Sequence, residues 1–303
     1  MKRPSFSRRR RSGAALLLVL WALFLLSAMV IAWALDINSR LALTGNASRV
    51  LEAEAMASSG AEIALNPTVT AGSSALRGSL GKNQTFEARI VGEGGRLNLN
   101  WLLSQEDPNR IAMLRRYLEN KGIDINERDK MIDSVLDFVD PDDLPRLNGV
   151  ETEQGYRPKN ALFQRVEELK EVKGWEKFTA RPNWDEDFTI YSNAAPDLVW
   201  ASRDVLLTLP GFNEQIVDRY LELRRGPDKL DGTEDDMVFE SQDQVRLALG
   251  FSMEQFDQLS SLKGFNDQVV RVVSVGKSGT ATRTIQMIIR KGTSPQMIRW
   301  KEL

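Results

Sequence analysis

Residues 8–35 read RRRRSGAALLLVLWALFLLSAMVIAWAL, a basic cluster followed directly by an uncharged apolar run. The run covers about 22 residues, which as an α-helix would be about 33 Å long at about 1.5 Å per residue. This length matches the hydrocarbon core of a bilayer, which is about 30 Å thick. The stretch therefore predicts a helix that crosses a membrane.

The basic residues before the apolar run predict its orientation. Lys2, Arg3 and Arg8–Arg11 precede it, and lysine and arginine collect on the cytoplasmic side of a span. We therefore expect a cytoplasmic N-terminus, with everything after Asp36 outside the cytoplasm. The exported part carries all 42 acidic residues and 34 of the 40 basic ones, a net charge of −8. Such a surface repels phosphate backbones and favours cations or basic partners.

The composition narrows the possible chemistry. With 303 residues, of which 42% are hydrophobic, the chain can build one large domain or two smaller ones. The sequence contains neither cysteine nor histidine, which excludes disulfides, thiolate or imidazole metal ligands, cysteine nucleophiles and Ser-His triads. Cations with oxygen ligands, such as calcium, remain possible because they need only carboxylates and carbonyls.

Three interpretations of the N-terminal segment are open. A cleaved secretory signal could end at Ala32-Trp33-Ala34, although its apolar region usually has only about 7 to 15 residues. An uncleaved single-span anchor fits the hydropathy equally well. The junction Ser12-Gly13-Ala14 resembles a third type, the prepilin-type leader, which comprises residues 1–13 here. This resemblance implies cleavage after Gly13, a mature chain that begins at Ala14, and an apolar helix that is retained.

Leu18 departs from the pilin pattern. Most pilin-like proteins carry a glutamate five residues after the cut, whose carboxylate contacts the terminal amine of the subunit ahead, and here that position is Leu18. A carboxylate inside a bilayer costs about 3 kcal/mol unless a neighbour compensates it. A subunit that lacks this glutamate therefore fits a position with no subunit ahead of it.

The helical pattern continues beyond the membrane until Asn66-Pro67 stops it. We predict one helix from about Ala14 to Leu65, a transmembrane and stalk segment over residues 14–66. Such a stalk, half in lipid and half packed on a globular head, is typical of subunits that stack through their helices. A simple juxtamembrane helix is the alternative.

The rest of the chain divides into strands around a helical block. Residues 68–84 have the composition of a loop, and alternation predicts a hairpin between Phe86–Val91 and Arg96–Asn100. Apolar residues recur at the helical period from about Asp107 to Leu262. Three further strands are predicted at Val269–Val275, Thr284–Arg290 and Met297–Trp300. The fold class is therefore α+β, with a long N-terminal helix packed on a small antiparallel sheet. The sheet belongs to a head formed by residues 67–104 and 265–303. A helical domain over residues 105–264 is inserted between the strands of this head.

Several motifs together resemble one family. Residues 137–143 read DFVDPDD and are followed by Gly149 and Glu151, residues 95–100 read GRLNLN, and residues 156–160 read YRPKN before Val166–Leu169. This combination is similar to the type II secretion protein K family and, with the leader, covers nearly the whole chain. Read without the resemblance, the acidic stretch fits solvated helix caps and turn formers equally well.

Two segments suggest helix-hairpin-helix modules, at 166–174 and at 205–212. Such hairpins grip phosphate through exposed amides, usually with two glycines two residues apart, but Glu176 and Asn213 occupy the second positions here. A membrane-tethered nucleic-acid-binding protein of the periplasm is therefore the alternative function. The family resemblance instead implies a helical packing unit of the sterile-alpha-motif type. A calcium-dependent hydrolase is a third class, which lacks a recognisable nucleophile and base pair.

Two acidic loops are candidate calcium sites. Residues 226–236 read GPDKLDGTEDD, and like charges this dense need solvent or a cation. This is not an EF-hand, because the D-x-D-x-D-G spacing is absent, and a plain solvated loop is the alternative. Protein K heads bind calcium, so the resemblance implies a structural calcium. The candidate ligands are Asp228, Asp231, Glu234, Asp235 and Asp236 in this loop, and Asp140, Asp142 and Glu151 in the other.

The resemblance implies a function in assembly rather than catalysis. A protein of this kind would be a minor pseudopilin at the tip of the type II secretion pseudopilus, anchored in the inner membrane by a single span with its head in the periplasm. It would be cut by prepilin peptidase and would assemble with the minor pseudopilins I and J in protein export. No nucleic acid is expected as a partner.

Overall fold

The computed structural model describes residues 12–303. The predicted α+β class is confirmed: a long helix packs on a five-stranded antiparallel sheet, and most of the shorter helices fall between the second and third strands of that sheet. The helices are α1 Ser12–Ala64, α2 Leu99–Leu103, α3 Pro108–Asn120, α4 Ile125–Val139, α5 Glu176–Thr179, α6 Arg203–Leu206, α7 Glu214–Arg225, α8 Gln242–Leu249 and α9 Met253–Asp257. The strands are β1 Arg77–Leu80, β2 Gln84–Gly92, β3 Leu97–Asn98, β4 Phe188–Thr189, β5 Val269–Ser278, β6 Ala281–Arg290 and β7 Gln296–Glu302.

Helix α1 is one unbroken element of 53 residues. Gly45 lies inside it without ending it, because a single glycine weakens a helix by only about 1 kcal/mol. The helix ends at Ala64, just before Asn66-Pro67, as the sequence predicts. The prepilin-type leader predicted over residues 1–13 lies almost entirely outside the described residues.

The main sheet has the order β1-β2-β5-β6-β7, and each neighbouring pair is antiparallel. The pair β2–β5 joins strands on either side of the helical block, with Ile90 opposite Val272. The pairs β5–β6 and β6–β7 are consecutive in the chain, as expected from the turn residues between them.

The predicted hairpin between Phe86–Val91 and Arg96–Asn100 is wrong. Strand β2 pairs instead with β1 and β5, and the short strand β3 lies in a separate two-stranded sheet, parallel to β4. A 3-10 turn at Glu93–Gly95 carries the chain away from β2, and the Asn98 side chain then caps α2 through Trp101 N. The expected loop at 68–84 also contains a strand, β1, which pairs with β2.

Small residues let α1 lie very close to the sheet. Ala53, Ala57, Ala61 and Ala64 are fully buried on the helix face that packs against β2, β5 and β6. Opposite them stands Gly276 of β5, where a Cβ atom would lie 2.0 Å from the Ala53 carbonyl oxygen and 2.3 Å from the Ala57 nitrogen. Both atoms belong to backbone, so a side chain at this position would force helix and sheet apart.

The described residues form two hydrophobic cores. The smaller core fills the space between α1 and the sheet, and the larger core is formed by the helical block together with residues 97–103 that precede it. The smaller contains Ala57, Ala61, Ala64, Val69, Leu76, Ala88, Ile90, Val270, Val272, Ile285, Met287 and Ile289. The larger centres on fully buried side chains that include Leu97, Leu102, Tyr117, Phe138, Leu169, Trp175, Phe188 and Tyr220.

A buried ion pair joins the two cores. Glu93, which is fully buried, accepts hydrogen bonds from Arg271 Nε and Nη2 at 2.7 and 2.8 Å and from Thr189 Oγ1 at 2.6 Å. Arg271 belongs to the sheet and Thr189 to the helical block. Breaking such a pair leaves a buried charge without compensation, which costs about 3 to 5 kcal/mol, so this contact holds the inserted block in a fixed position on the sheet.

We predict that Gly276→Ala destabilises the head by about 1 to 3 kcal/mol, because the new methyl group overlaps the backbone of α1. The measurement is urea unfolding of the detergent-solubilised chain, followed by tryptophan fluorescence. Gly292→Ala is the matched control, since a Cβ atom there has no neighbour within 4 Å. Equal unfolding midpoints for both variants would contradict the close packing of α1 on β5.

Candidate functional site

The first half of α1 presents an apolar surface that no other described part of the chain covers. Large hydrophobic side chains from Leu16 to Leu35 are more than half exposed, and among the described residues α1 is the single helix long and apolar enough to cross a membrane. The predicted cleavage positions, Gly13 and Ala14, lie in the first turn of this helix. Leu18, the position predicted to lack the pilin glutamate, is 71% exposed.

The two hairpins of the helical block use their polar groups internally. At the first, the Gly174 N–H donates to the Glu176 carboxylate at 3.1 Å, so an acidic group already occupies the amide that a phosphate would need. At the second, the Asn213 side chain caps α7 by accepting from Ile216 N at 2.9 Å. The geometry therefore favours a packing role for both hairpins.

The structure brings Asp137, Asp140 and Glu151 together. One carboxylate oxygen of each lies within 4.8 Å of the other two. Asp137 and Asp140 come from the last turn and the end of α4, and Glu151 returns to them after the loop 141–150. Two ligands on opposite sides of one calcium ion are about 4.8 Å apart, so three such oxygens can share an ion.

Arg146 neutralises part of this cluster. Its Nη1 donates to both Asp137 and Asp140, and its Nη2 donates to Glu106 at 2.6 Å. Its backbone N–H also points at Asp137, which is fully buried. This guanidinium holds the loop 141–150 against the end of α4 and against Glu106, because it donates to all three carboxylates at once.

Glu151 is the unusual member of the cluster. It is only 7% exposed, and neither of its carboxylate oxygens has a hydrogen-bond partner among the described residues. Burial raises the pKa of Glu151, and the charges of Asp137 and Asp140 raise it further. A buried carboxylate without a partner is costly, so its position favours a cation between the three acids.

The loop 226–236 forms the second acidic cluster, with Asp228, Asp235 and Asp236 within the same 4.8 Å of one another. The Asp235 carboxylate accepts from Asp228 N at 3.1 Å, and this hydrogen bond lowers the pKa of Asp235. Asp236 accepts from Gly232 N at 2.6 Å, while partial burial raises its pKa. The loop's own amides therefore partly satisfy this cluster.

The loop 226–236 also contacts the sheet. A Cβ atom on Gly232, whose φ is +84°, would lie 2.5 Å from the Ile90 carbonyl oxygen of β2. Glycine is required here both by this approach and by the left-handed backbone. The acidic loop thus lies at the boundary between the helical block and the sheet.

Some predicted ligands are not brought into these clusters. Asp231 is held by Arg224 at 2.7 Å and by Arg225 at 2.8 Å, so its carboxylate is already neutralised. Glu234 is exposed and lies outside the group of three. Asp142 caps the following turn by accepting from Leu144 N at 2.9 Å. Asp137 is missing from the ligands predicted from the sequence, although it begins the acidic motif DFVDPDD and lies one helical turn before Asp140.

A protein family model matches the first part of the helical block. The family model described as "Type II secretion system (T2SS), protein K" matches residues 95–181, the segment that contains Asp137, Asp140 and Glu151. This match confirms the resemblance to protein K that the motifs indicate. The loop 226–236 lies outside the matched residues.

A solved structure shares the fold. One chain of the GspK-GspI-GspJ complex from the type 2 secretion system of enterotoxigenic Escherichia coli is similar with a TM-score of 0.54 and 15% sequence identity. The similarity covers 88% of this chain and 98% of that chain. Among curated protein sequences there is no significant match.

Proposed function

We propose that this chain is a minor pseudopilin of type II secretion, protein K, that caps the tip of the pseudopilus. The observation that carries the proposal is α1: its exposed apolar half continues without a break into the half that packs on the head. A helix built in this way can leave the membrane while it remains fixed to its head. The protein K match in the helical block supports the same assignment.

Two features support the proposed tip position. Leu18 has no carboxylate that could contact the terminal amine of a subunit ahead. The chain therefore leaves no buried carboxylate unpaired when no subunit stands ahead of it. The inserted helical block, residues 105–264, enlarges the head beyond the α1–sheet unit, and such a bulk is accommodated most easily at the end of a narrow filament. The role is assembly for export across the outer membrane, with no bond chemistry.

The minor pseudopilins I and J are the proposed partners. The similar solved chain belongs to a complex that contains GspI and GspJ. Since the two folds agree over most of both chains, the same set of partners is the simplest proposal for this protein. The N-terminal helices of these partners would pack against the exposed apolar half of α1.

Processing and location complete the proposal. Prepilin peptidase would cut after Gly13, and the chain would lie in the inner membrane with a cytoplasmic N-terminus and a periplasmic head. The basic residues that set this orientation lie outside the described residues. The retained apolar helix would then serve first as an anchor and later as the filament core.

We also propose a structural calcium, held by Asp137, Asp140 and Glu151, with Asp228, Asp235 and Asp236 as a second site. The first cluster fits the ion better, because Glu151 is buried and has no hydrogen-bond partner among the described residues. Calcium takes six to eight oxygens, so backbone carbonyls and water would complete the shell. The ion would hold the loop 141–150 and the end of α4 together.

We predict that Gly13→Leu blocks maturation, because a bulky side chain at the cut would not fit a peptidase that accepts glycine. The measurement is intact mass and terminal sequencing of the membrane-extracted chain. The unchanged chain should begin at Ala14. Ser12→Ala is the control and should mature normally. A Gly13→Leu product of normal mature mass, or a native chain that begins at Leu35, would contradict the leader assignment.

We predict that the tagged full-length chain, co-expressed with proteins I and J of the same secretion system, is isolated as a complex of all three. The measurement is affinity capture in mild detergent followed by mass spectrometry. Co-expression with the membrane protein of an unrelated system is the control. Capture of the chain without I and J at matched expression would count against the proposed function.

We predict that calcium raises the melting temperature of the detergent-solubilised chain by about 5 to 10 °C when the ion is about a hundredfold above its Kd. Glu151→Gln should remove most of this rise and should melt higher than the unchanged chain in chelator, because the variant buries no unpaired charge. Differential scanning calorimetry measures both effects.

Two further variants assign the calcium response to a site. Asp235→Asn reports on the loop 226–236, and Glu222→Gln, at an exposed position of α7, is the matched control that should respond like the unchanged chain. Equal melting temperatures of the unchanged chain in calcium and in chelator would refute the calcium proposal and leave the assembly proposal standing.

A further inference from the structure

Strand β7 gives the main sheet a long open edge. It spans seven residues, pairs with β6 alone among residues 12–303, and is the last strand in the sheet order. Its residues are exposed except for Arg299, which is partly buried. The opposite edge, β1, has only four residues. An edge of this length without a covering element is a template for strand addition.

The register shows which backbone groups of β7 are available. Leu303 N donates to the Thr284 carbonyl oxygen at 2.9 Å, so that pair is hydrogen-bonded. In an antiparallel ladder the hydrogen-bonded pairs alternate, so the next such pair is Lys301 with Gln286. The N–H and C=O groups of Trp300 and Glu302 are therefore directed away from β6, toward an incoming strand.

The two faces of β7 differ in chemistry. On the face shared with α1, Met297, Trp300 and Glu302 stand beside Ile289, Met287 and Ile285, and Met297 and Trp300 are 55% and 36% exposed. On the opposite face, Arg299 and Lys301 stand beside Ile288 and Gln286. A strand added to β7 would therefore meet a mainly apolar surface that ends at Glu302 on one face, and a basic surface on the other.

The charge of this region is opposite to that of the rest of the head. Residues 265–303 carry seven basic and two acidic residues, a net charge of +5, whereas residues 36–264 carry −13. Arg299 pairs with Glu167 at 2.7 Å, but neither Lys301 nor Arg290 makes an ion pair within residues 12–303. Both are exposed. Lys301 lies in β7 itself, and Arg290 lies in the neighbouring strand β6, opposite Gln296.

Contacts behind the strand hold β7 in place. Arg299 reaches the helical block, where it donates to Glu167 at 2.7 Å and to the Tyr191 hydroxyl at 3.2 Å. These contacts fix the strand before any partner binds. A preorganised edge loses less conformational entropy on binding than a mobile one.

We propose that the open edge of β7 binds an extended segment of a partner protein in which apolar and acidic residues alternate. The backbone groups of Trp300 and Glu302 supply the hydrogen bonds. The apolar residues of the segment contact the face of Trp300, and its acidic residues contact the face of Lys301. A second copy of this chain fits less well, because antiparallel pairing of two β7 strands brings Arg299 and Lys301 of both copies together. The inference stands on the edge strand and does not rest on the proposed function.

The test uses the full-length chain in detergent and three fluorescent seven-residue peptides with blocked ends. The first alternates valine with glutamate, the second alternates valine with lysine, and the third is the first peptide with alternate backbone amides methylated. Fluorescence anisotropy should show binding of the glutamate peptide, at least about fivefold weaker binding of the lysine peptide, and loss of binding on methylation.

Two variants place the binding on β7. Glu302→Pro removes an outward N–H and leaves the ladder to β6 intact, so we expect the glutamate peptide to bind about tenfold more weakly. Lys301→Glu should weaken the same peptide at least about fivefold. Lys277→Glu is the control for net charge, because Lys277 is exposed on β5 with a strand on either side, and it should bind as the unchanged chain does.

Three results would overturn the proposal. Equal binding of the glutamate and lysine peptides would exclude selection by charge. Unchanged binding by Glu302→Pro would place the peptide elsewhere. A dimer of the unchanged chain in analytical ultracentrifugation that Glu302→Pro converts to a monomer would identify the occupant as a second copy.

Discussion

The close approach of α1 to the sheet is the constraint on which the rest of the structure depends. Helix and strand backbones meet at Gly276 with no room for a Cβ atom, and alanines line the facing side of the helix. The helix itself contributes little side-chain volume to this packing, yet it is fixed against three strands at once. Because the same helix continues into the exposed apolar half, the contact also fixes the orientation of that half relative to the head.

The inserted helical block is held to the sheet by polar contacts. Glu93 and Arg271 are 178 residues apart in sequence and form a bidentate pair at the boundary, and the loop 226–236 touches β2 through Gly232. Polar groups buried in such a boundary are costly unless every partner is in place. The block is therefore positioned by a few specific pairs, while each of the two cores is stabilised by its own apolar contacts.

The sequence predicted the elements whose signals are local. The apolar run and Asn66-Pro67 defined α1, and alternation with turn residues located β5, β6 and β7. The prediction of a hairpin after β2 was wrong. The chain leaves β2 at Glu93, whose carboxylate is bound by Arg271, and the periodicity of the sequence does not reveal this contact. Acidic composition identified both candidate loops, but it did not show that Arg224 and Arg225 hold Asp231, or that Glu151 is buried without a partner among the described residues.

The continuity of α1 has a mechanical consequence. At about 1.5 Å and about 100° per residue, 53 residues form a rod about 80 Å long, with the head rigidly attached at one end. No proline or break within it can absorb twist. If the rod moves by one residue along a neighbouring helix, the ridges and grooves of the two helices fit together again only after a turn of about 100°. An axial force on the exposed apolar half would therefore reach the head both as a displacement along the helix axis and as a rotation about it.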